Sequence, residues 1–208
     1  TVSSVAWASI VTGCLPGKHD IFGFIDRHPR THEMFIPSSR NLKVKTWIDI
    51  LSGMGKRVFS MGVPMTYPPR AVNGVLISGF MAPSLRNATY PPEVEKELQA
   101  MGYVIDIDAW QARENKSRFL DDLFVAFERR CEAMFMFLAR EPWDFFVTHV
   151  MDTDRLNHFL WGEMEDESEE LAPWFFKFYA RVDESIGELV RRLDDDVLLI
   201  ILSDHGFC

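Results

Sequence analysis

The chain has 208 residues, 22 of them Lys or Arg against 31 Asp or Glu, for a formal net charge of −9. No basic stripe is present, which disfavours binding of a nucleic-acid polymer through its phosphates, and no apolar run is long enough to span a bilayer. Cys14, Cys131 and Cys208 are far apart and lack metal-ligand spacing, so they read as free thiols in a reducing, cytoplasmic setting.

In chain order, the first segment opens with small hydroxylic residues and then turns apolar. Ala6, Trp7, Ile10 and Val11 recur at helical spacing, and Gly13, Pro16 and Gly17 supply the stop. A hydroxyl at a helix start lies among free backbone N–H groups, which favour a phosphate or a developing alkoxide. Ser3 or Ser4 could therefore be a nucleophile, although composition alone favours a helix cap. Lys18 and His19 follow in a loop, where structural hydrogen bonding is expected of His19. Residues 41–54 carry Leu42, Trp47, Ile50 and Leu51 on one face and predict an amphipathic helix; residues 57–63 predict a strand.

Residues 64–92 hold six prolines and leave room for one short strand, 74–77, in a long loop of the kind that lines a site. A helix over 93–101, a strand over 103–107 and a long amphipathic helix over 117–140 come next. Strand–helix alternation predicts an α/β fold, a mostly parallel sheet sandwiched by helices. Its core is expected from 1–65 and 117–208, with 66–116 as a small cap-like insert.

Residues 144–151 predict a second buried strand, in which His149 reads as packed, not ligating. Asp154 and His158 follow, four apart, so that on a helix both project from one face, a spacing suited to a metal ion. The competing reading is a capped helix with Asp152 or Thr153 as cap and His158 packed on Trp161. After a helix over 173–193 comes the run 197–203, apolar up to Ser203, which predicts a strand buried on both faces. Asp204, His205 and Gly206 would then sit at a strand end, where open α/β sheets bind ligands. A chain that stops directly after such an element reads as part of a longer protein.

Five stretches in order resemble the alkaline phosphatase superfamily, in its type I phosphodiesterase/nucleotide pyrophosphatase branch and nearest its predicted phosphohydrolase/phosphomutase subgroup. They are residues 2–13, 16–19, 72–74 with 78–80, 153–161 and 203–207. The resemblance implies a two-metal centre. Asp154 and His158 match two ligands of one ion and Asp204 and His205 two ligands of the other; Ser3 (with Ser4 as the alternative) matches the nucleophile, whose oxygen also touches metal. The resemblance further implies that one Asp and one His of the complete centre lie outside these 208 residues. Two imidazoles and two carboxylates suit Zn²⁺, and oxygen-richer completion would admit Mn²⁺. The implied activity is hydrolysis of a small-molecule phosphoric ester through a phosphoseryl intermediate. Two alternatives are a phosphomutase resembling the cofactor-independent phosphoglycerate mutases and a non-catalytic module of the same fold. Ala6 stands where nucleotide pyrophosphatases carry an Asn, which argues against nucleotide diesters as substrates. The Cys/Ser-x-Pro-x-Arg context of sulfatases is missing.

Overall fold

The computed structural model describes residues 2–108, 113–140 and 142–207, so Cys208 and its expected free thiol lie outside the described residues. The chain folds as an α/β structure. Helix α1 (Ser3–Thr12) stops at Gly13, whose φ of 64° is the left-handed turn a glycine adopts without strain. The short α2 (Pro16–His19) and a two-stranded ribbon of β1 (Asp26–Arg27) and β2 (Met34–Phe35) lead into α3 (Trp47–Gly53). Thr46 and Asp49 start α3 by exchanging side-chain and backbone hydrogen bonds, a reciprocal cap. Next come β3 (Val58–Met61), β4 (Gly74–Ile77), β5 (Thr89–Tyr90) and α4 (Val94–Ala100). The chain then runs through α5 (Lys116–Arg140), β6 (Phe145–Thr148), α6 (Asp152–Glu165) and α7 (Ala172–Arg192).

The main sheet has the order β5-β4-β3-β6, with β3 parallel to both β4 and β6 and β5 antiparallel to β4. Side chains alternate across it as a strand's two-residue period requires. Phe59, Met61, Val75, Ile77 and Phe146 face one layer, where Leu98 of α4 and Phe137 of α5 cover them. Val58, Leu76 and Phe145 face the other, against Ile48 and Trp47 of α3. Trp7 and Val11 of α1 pack beside them on Val63 and Val147. A separate cluster joins α5, α6 and α7 through Leu123, Phe127, Leu156, Leu160 and Phe178. Within 66–116, β4 and β5 belong to this same sheet and α4 to its cover.

Two expected strands do not form. Residues 103–107 are irregular: Tyr103 and Ile105 are buried, but Arg130 takes the Tyr103 hydroxyl and the Ile105 carbonyl, so the segment bonds to a side chain instead of a sheet edge. The run 197–203 has no ladder partner among the described residues, and its six apolar side chains at 197–202 are 36–82 % exposed. A strand buried on both faces needs a strand on its edge and a layer on each side. Apolar composition shows that such cover is favourable, but does not provide it.

The sheet's central strands come very close where they end. A Cβ on Gly79 would lie 1.8 Å from the Gly62 carbonyl oxygen, and one on Gly74 2.0 Å from that of Val58. Only a hydrogen atom fits in either place. Gly79→Ala is accordingly expected to destabilise the fold at the upper end of the ~1–3 kcal/mol typical of overpacking. A urea midpoint unchanged from that of the parent would contradict this close approach.

Candidate active site at the sheet rim

The parallel strands β3 and β6 end together. Beyond them Gly62 and His149 meet, with Nδ1 of His149 3.0 Å from the Gly62 carbonyl, to which it donates. The His149 ring packs edge-on against Trp7 of α1, 4.7 Å between centroids. It is thus a packed histidine that ties α1 to the strand ends. Burial, with Arg130 adding its charge and the Gly62 bond opposing, lowers its pKa to about 3. The unfolded chain takes up a proton near pH 6.5 that the folded chain refuses until about pH 3. Stability therefore falls as pH drops through that window, by up to about 1.4 kcal/mol per unit. His149→Gln should flatten this acid limb in chemical denaturation; an unaltered slope would mean that His149 titrates freely in the fold.

α1 presents its first residue, Ser3, to the same rim. The helix is preceded by Val2 and has no side-chain cap, so neither serine is the cap that composition favours. The Ser3 hydroxyl lies 2.9 Å from Nε2 of His205, a contact between residues 202 apart in sequence. Nδ1 of His205 lies 2.9 Å from the Gly206 carbonyl and must donate to it. Nε2 is then the unprotonated nitrogen, and the Ser3 O–H donates to it. Ser4, by contrast, is fully buried, and among the described residues its hydroxyl has no hydrogen-bond partner. His19 holds α1 from the other side: Nδ1 accepts from the Ile21 N–H at 3.1 Å and Nε2 donates to Ser9 at 3.0 Å. Burial lowers its pKa, with Asp20 opposing.

Three residues separate α6 from β6, and α6 brings Asp154 and His158 to the rim. Oδ1 of Asp154 is 3.5 Å from Nε2 of His158 and 3.9 Å from Nε2 of His205, and Nε2 of His205 is 3.5 Å from Oδ2 of Asp204. The two Asp/His couples and Ser3 therefore meet in one place, although the run that leads to the second couple is not a strand. His158 is the most exposed of the set and stacks edge-on against Phe207, not Trp161. Asp152 is not a cap either; its carboxylate accepts from Nε of buried Arg130 at 2.8 Å.

Burial raises the pKa of Asp204, and the nearby Asp154 carboxylate adds to this, while a backbone hydrogen bond opposes it. Its Oδ2 is buried and, among the described residues, has no hydrogen-bond partner. A buried carboxylate oxygen without a donor is costly in an ion-free fold and suited to a cation.

The type I phosphodiesterase/nucleotide pyrophosphatase family model matches residues 1–208, the whole chain. The chain belongs to that family. No curated protein and no solved structure matches it. The family is one of phosphoric-ester hydrolases, typically metal-dependent, and a small-molecule phosphate ester fits it as substrate. Among the described residues no helix is long and apolar enough to cross a membrane. Among them, too, no three His, Cys, Asp or Glu side chains converge as a formed metal centre. The fit to a divalent ion is one of donor chemistry: two imidazoles, a hydroxyl and two carboxylates, one of which contributes the orphaned Oδ2 of Asp204.

Sequence reasoning missed the charged frame behind these residues. Arg130 links Asp152 to Tyr103 and Ile105, and Arg155 pairs with Asp106. Arg155 directly follows Asp154, but no spacing rule reveals which carboxylate a neighbouring arginine will choose.

Proposed function

We propose that this chain carries the catalytic residues of a phosphodiesterase that works through a phosphoserine at Ser3. The observation that carries the reading is the 2.9 Å hydrogen bond from the Ser3 hydroxyl to the unprotonated nitrogen of His205, beside two carboxylates. Ser3 is preferred to Ser4 because its oxygen reaches the polar cluster, whereas that of Ser4 is shut away from it.

The roles follow from residue chemistry. A serine hydroxyl is a poor nucleophile until something takes or weakens its proton. In the geometry described, Nε2 of His205 accepts the Ser3 hydrogen bond, and the Gly206 carbonyl fixes the tautomer in which that nitrogen is free, for the Ser3 proton or, in its place, for a metal ion. Attack by Ser3 on phosphorus, in line with the departing alkoxide, leaves the phosphoryl group, still carrying its second ester, on Ser3; water then releases it as the monoester. Asp154, His158, Asp204 and His205 are the residues to hold divalent metal, Zn²⁺ on this donor set. Bound metal would neutralise charge on the phosphoryl oxygens and lower the hydroxyl pKa. The position of Ser3 at the start of α1 adds backbone N–H groups favourable to the same oxygens.

The reading is tested by the turnover of bis-p-nitrophenyl phosphate before and after substitution of Ser3. Acid-quenched protein should also carry a p-nitrophenyl phosphoryl group on Ser3, detectable by mass spectrometry. Full turnover without Ser3 would refute the proposal.

A further inference from the structure

The two oxygens of the Asp154 carboxylate face different partners. Oδ1 looks toward the imidazoles, 3.5 Å from His158 and 3.9 Å from His205. Oδ2 looks toward a guanidinium nitrogen of Arg155, 3.9 Å away, too far for a hydrogen bond. Arg155 is engaged elsewhere. Its Nε donates to Oδ1 of Asp106 at 3.0 Å, a second guanidinium nitrogen pairs with Oδ2 of Asp106, and the plane lies 5.0 Å from the Phe80 ring centroid. Both side chains are mostly enclosed. Asp106 is itself steadied, since its Oδ1 also accepts from the Ile107 N–H and Arg130 grips the Ile105 carbonyl beside it.

We infer that Asp106 is a positioning residue that restrains Arg155 so that Arg155 cannot capture Asp154. A planar guanidinium binds a carboxylate best through two parallel hydrogen bonds. Arg155, adjacent to Asp154 and only 3.9 Å from it, would make that fork with Asp154 if Asp106 did not already occupy it. Captured in this way, Asp154 would offer a cation a neutralised carboxylate with both oxygens already hydrogen-bonded. The segment 103–107 is thus the element that keeps one carboxylate at the rim available. The inference rests on the proposed role of Asp154 as a metal ligand.

The test is titration of Zn²⁺ into the 208-residue chain by calorimetry, with the visible spectrum of bound Co²⁺ as a report on ligand geometry. Asp106→Asn should weaken Zn²⁺ binding about tenfold or more and alter the Co²⁺ spectrum. Asp106→Ser carries the same expectation should the Asn variant not fold. Arg155→Met should bind as the parent does, and Asp106→Asn with Arg155→Met should recover most of the loss. That recovery is the decisive readout, because a merely structural ion pair stays broken in the double variant and regains nothing. Parent-like binding by Asp106→Asn, or a double variant as weak as the single one, overturns the inference. Asp154→Asn separates the two levels. If it binds as tightly as the parent, or the parent binds no Zn²⁺, the ligand assignment fails and takes the inference with it. If it loses binding while Asp106→Asn does not, only the role of Asp106 fails.

Discussion

Ser3→Ala is expected to lower turnover of bis-p-nitrophenyl phosphate by on the order of 10³-fold or more, as loss of a covalent nucleophile does in hydrolases. Binding of Zn²⁺ should survive, because four other donors remain at the rim. Ser4→Ala is the matched control. It removes a buried hydroxyl from the same helix turn, so any general effect of losing a hydroxyl from the start of α1 would appear there as well. The Ser4 variant should keep most of its activity. Should the outcomes be reversed, the nucleophile lies one residue further along, and the hydrogen bond between Ser3 and His205 serves only to dock the C-terminal segment on α1. Equal activity in both variants would remove the phosphoserine route altogether.

Much of the architecture could be read in the sequence because it is written in short-range patterns. Helices α3, α5 and α7 follow from apolar residues at helical spacing, and β3, β4 and β6 from brief apolar runs bounded by Pro, Gly or Asp. The candidate site was legible for a different reason. Asp154/His158 and Asp204/His205 are local couples, and a couple keeps its internal geometry wherever the chain carries it. Hydrophobicity is less informative about company. The run at 197–202 has strand composition and still lies exposed, and residues 103–107 bury two side chains without pairing. Both errors arise from inferring a neighbour from a preference to be covered. The arginine frame was illegible for the same reason in polar form. Arg130 is 14 residues into a helix and looks like any surface position of α5, yet it ends 3 % exposed because Asp152, Tyr103 and Ile105 come to it from other elements.

That frame yields the largest effect on stability. Asp152→Ala is expected to cost about 3–5 kcal/mol, the usual penalty for removing one partner of a buried ion pair. Arg130 and Asp152 are each 3 % exposed and share a 2.8 Å hydrogen bond, so the variant leaves a guanidinium without its hydrogen-bonded counter-charge and with little access to water. Its remaining partners, the Tyr103 hydroxyl at 3.2 Å and the Ile105 carbonyl at 3.3 Å, are neutral and cannot replace the carboxylate. In urea the midpoint should fall while the slope stays that of the parent, the mark of lost stability without a changed unfolded state. Arg130→Met combined with Asp152→Leu should be far milder than either loss alone, because apolar side chains of similar volume fill the space with no charge left to solvate. Asp152 is also the first residue of the helix that carries Asp154 and His158. Its loss should therefore weaken Zn²⁺ binding at temperatures well below the unfolding transition, by loosening the start of α6. A cost below about 1 kcal/mol would mean that water reaches Arg130 once Asp152 is gone, and that the rim is held in place by packing of α5 on α6 instead.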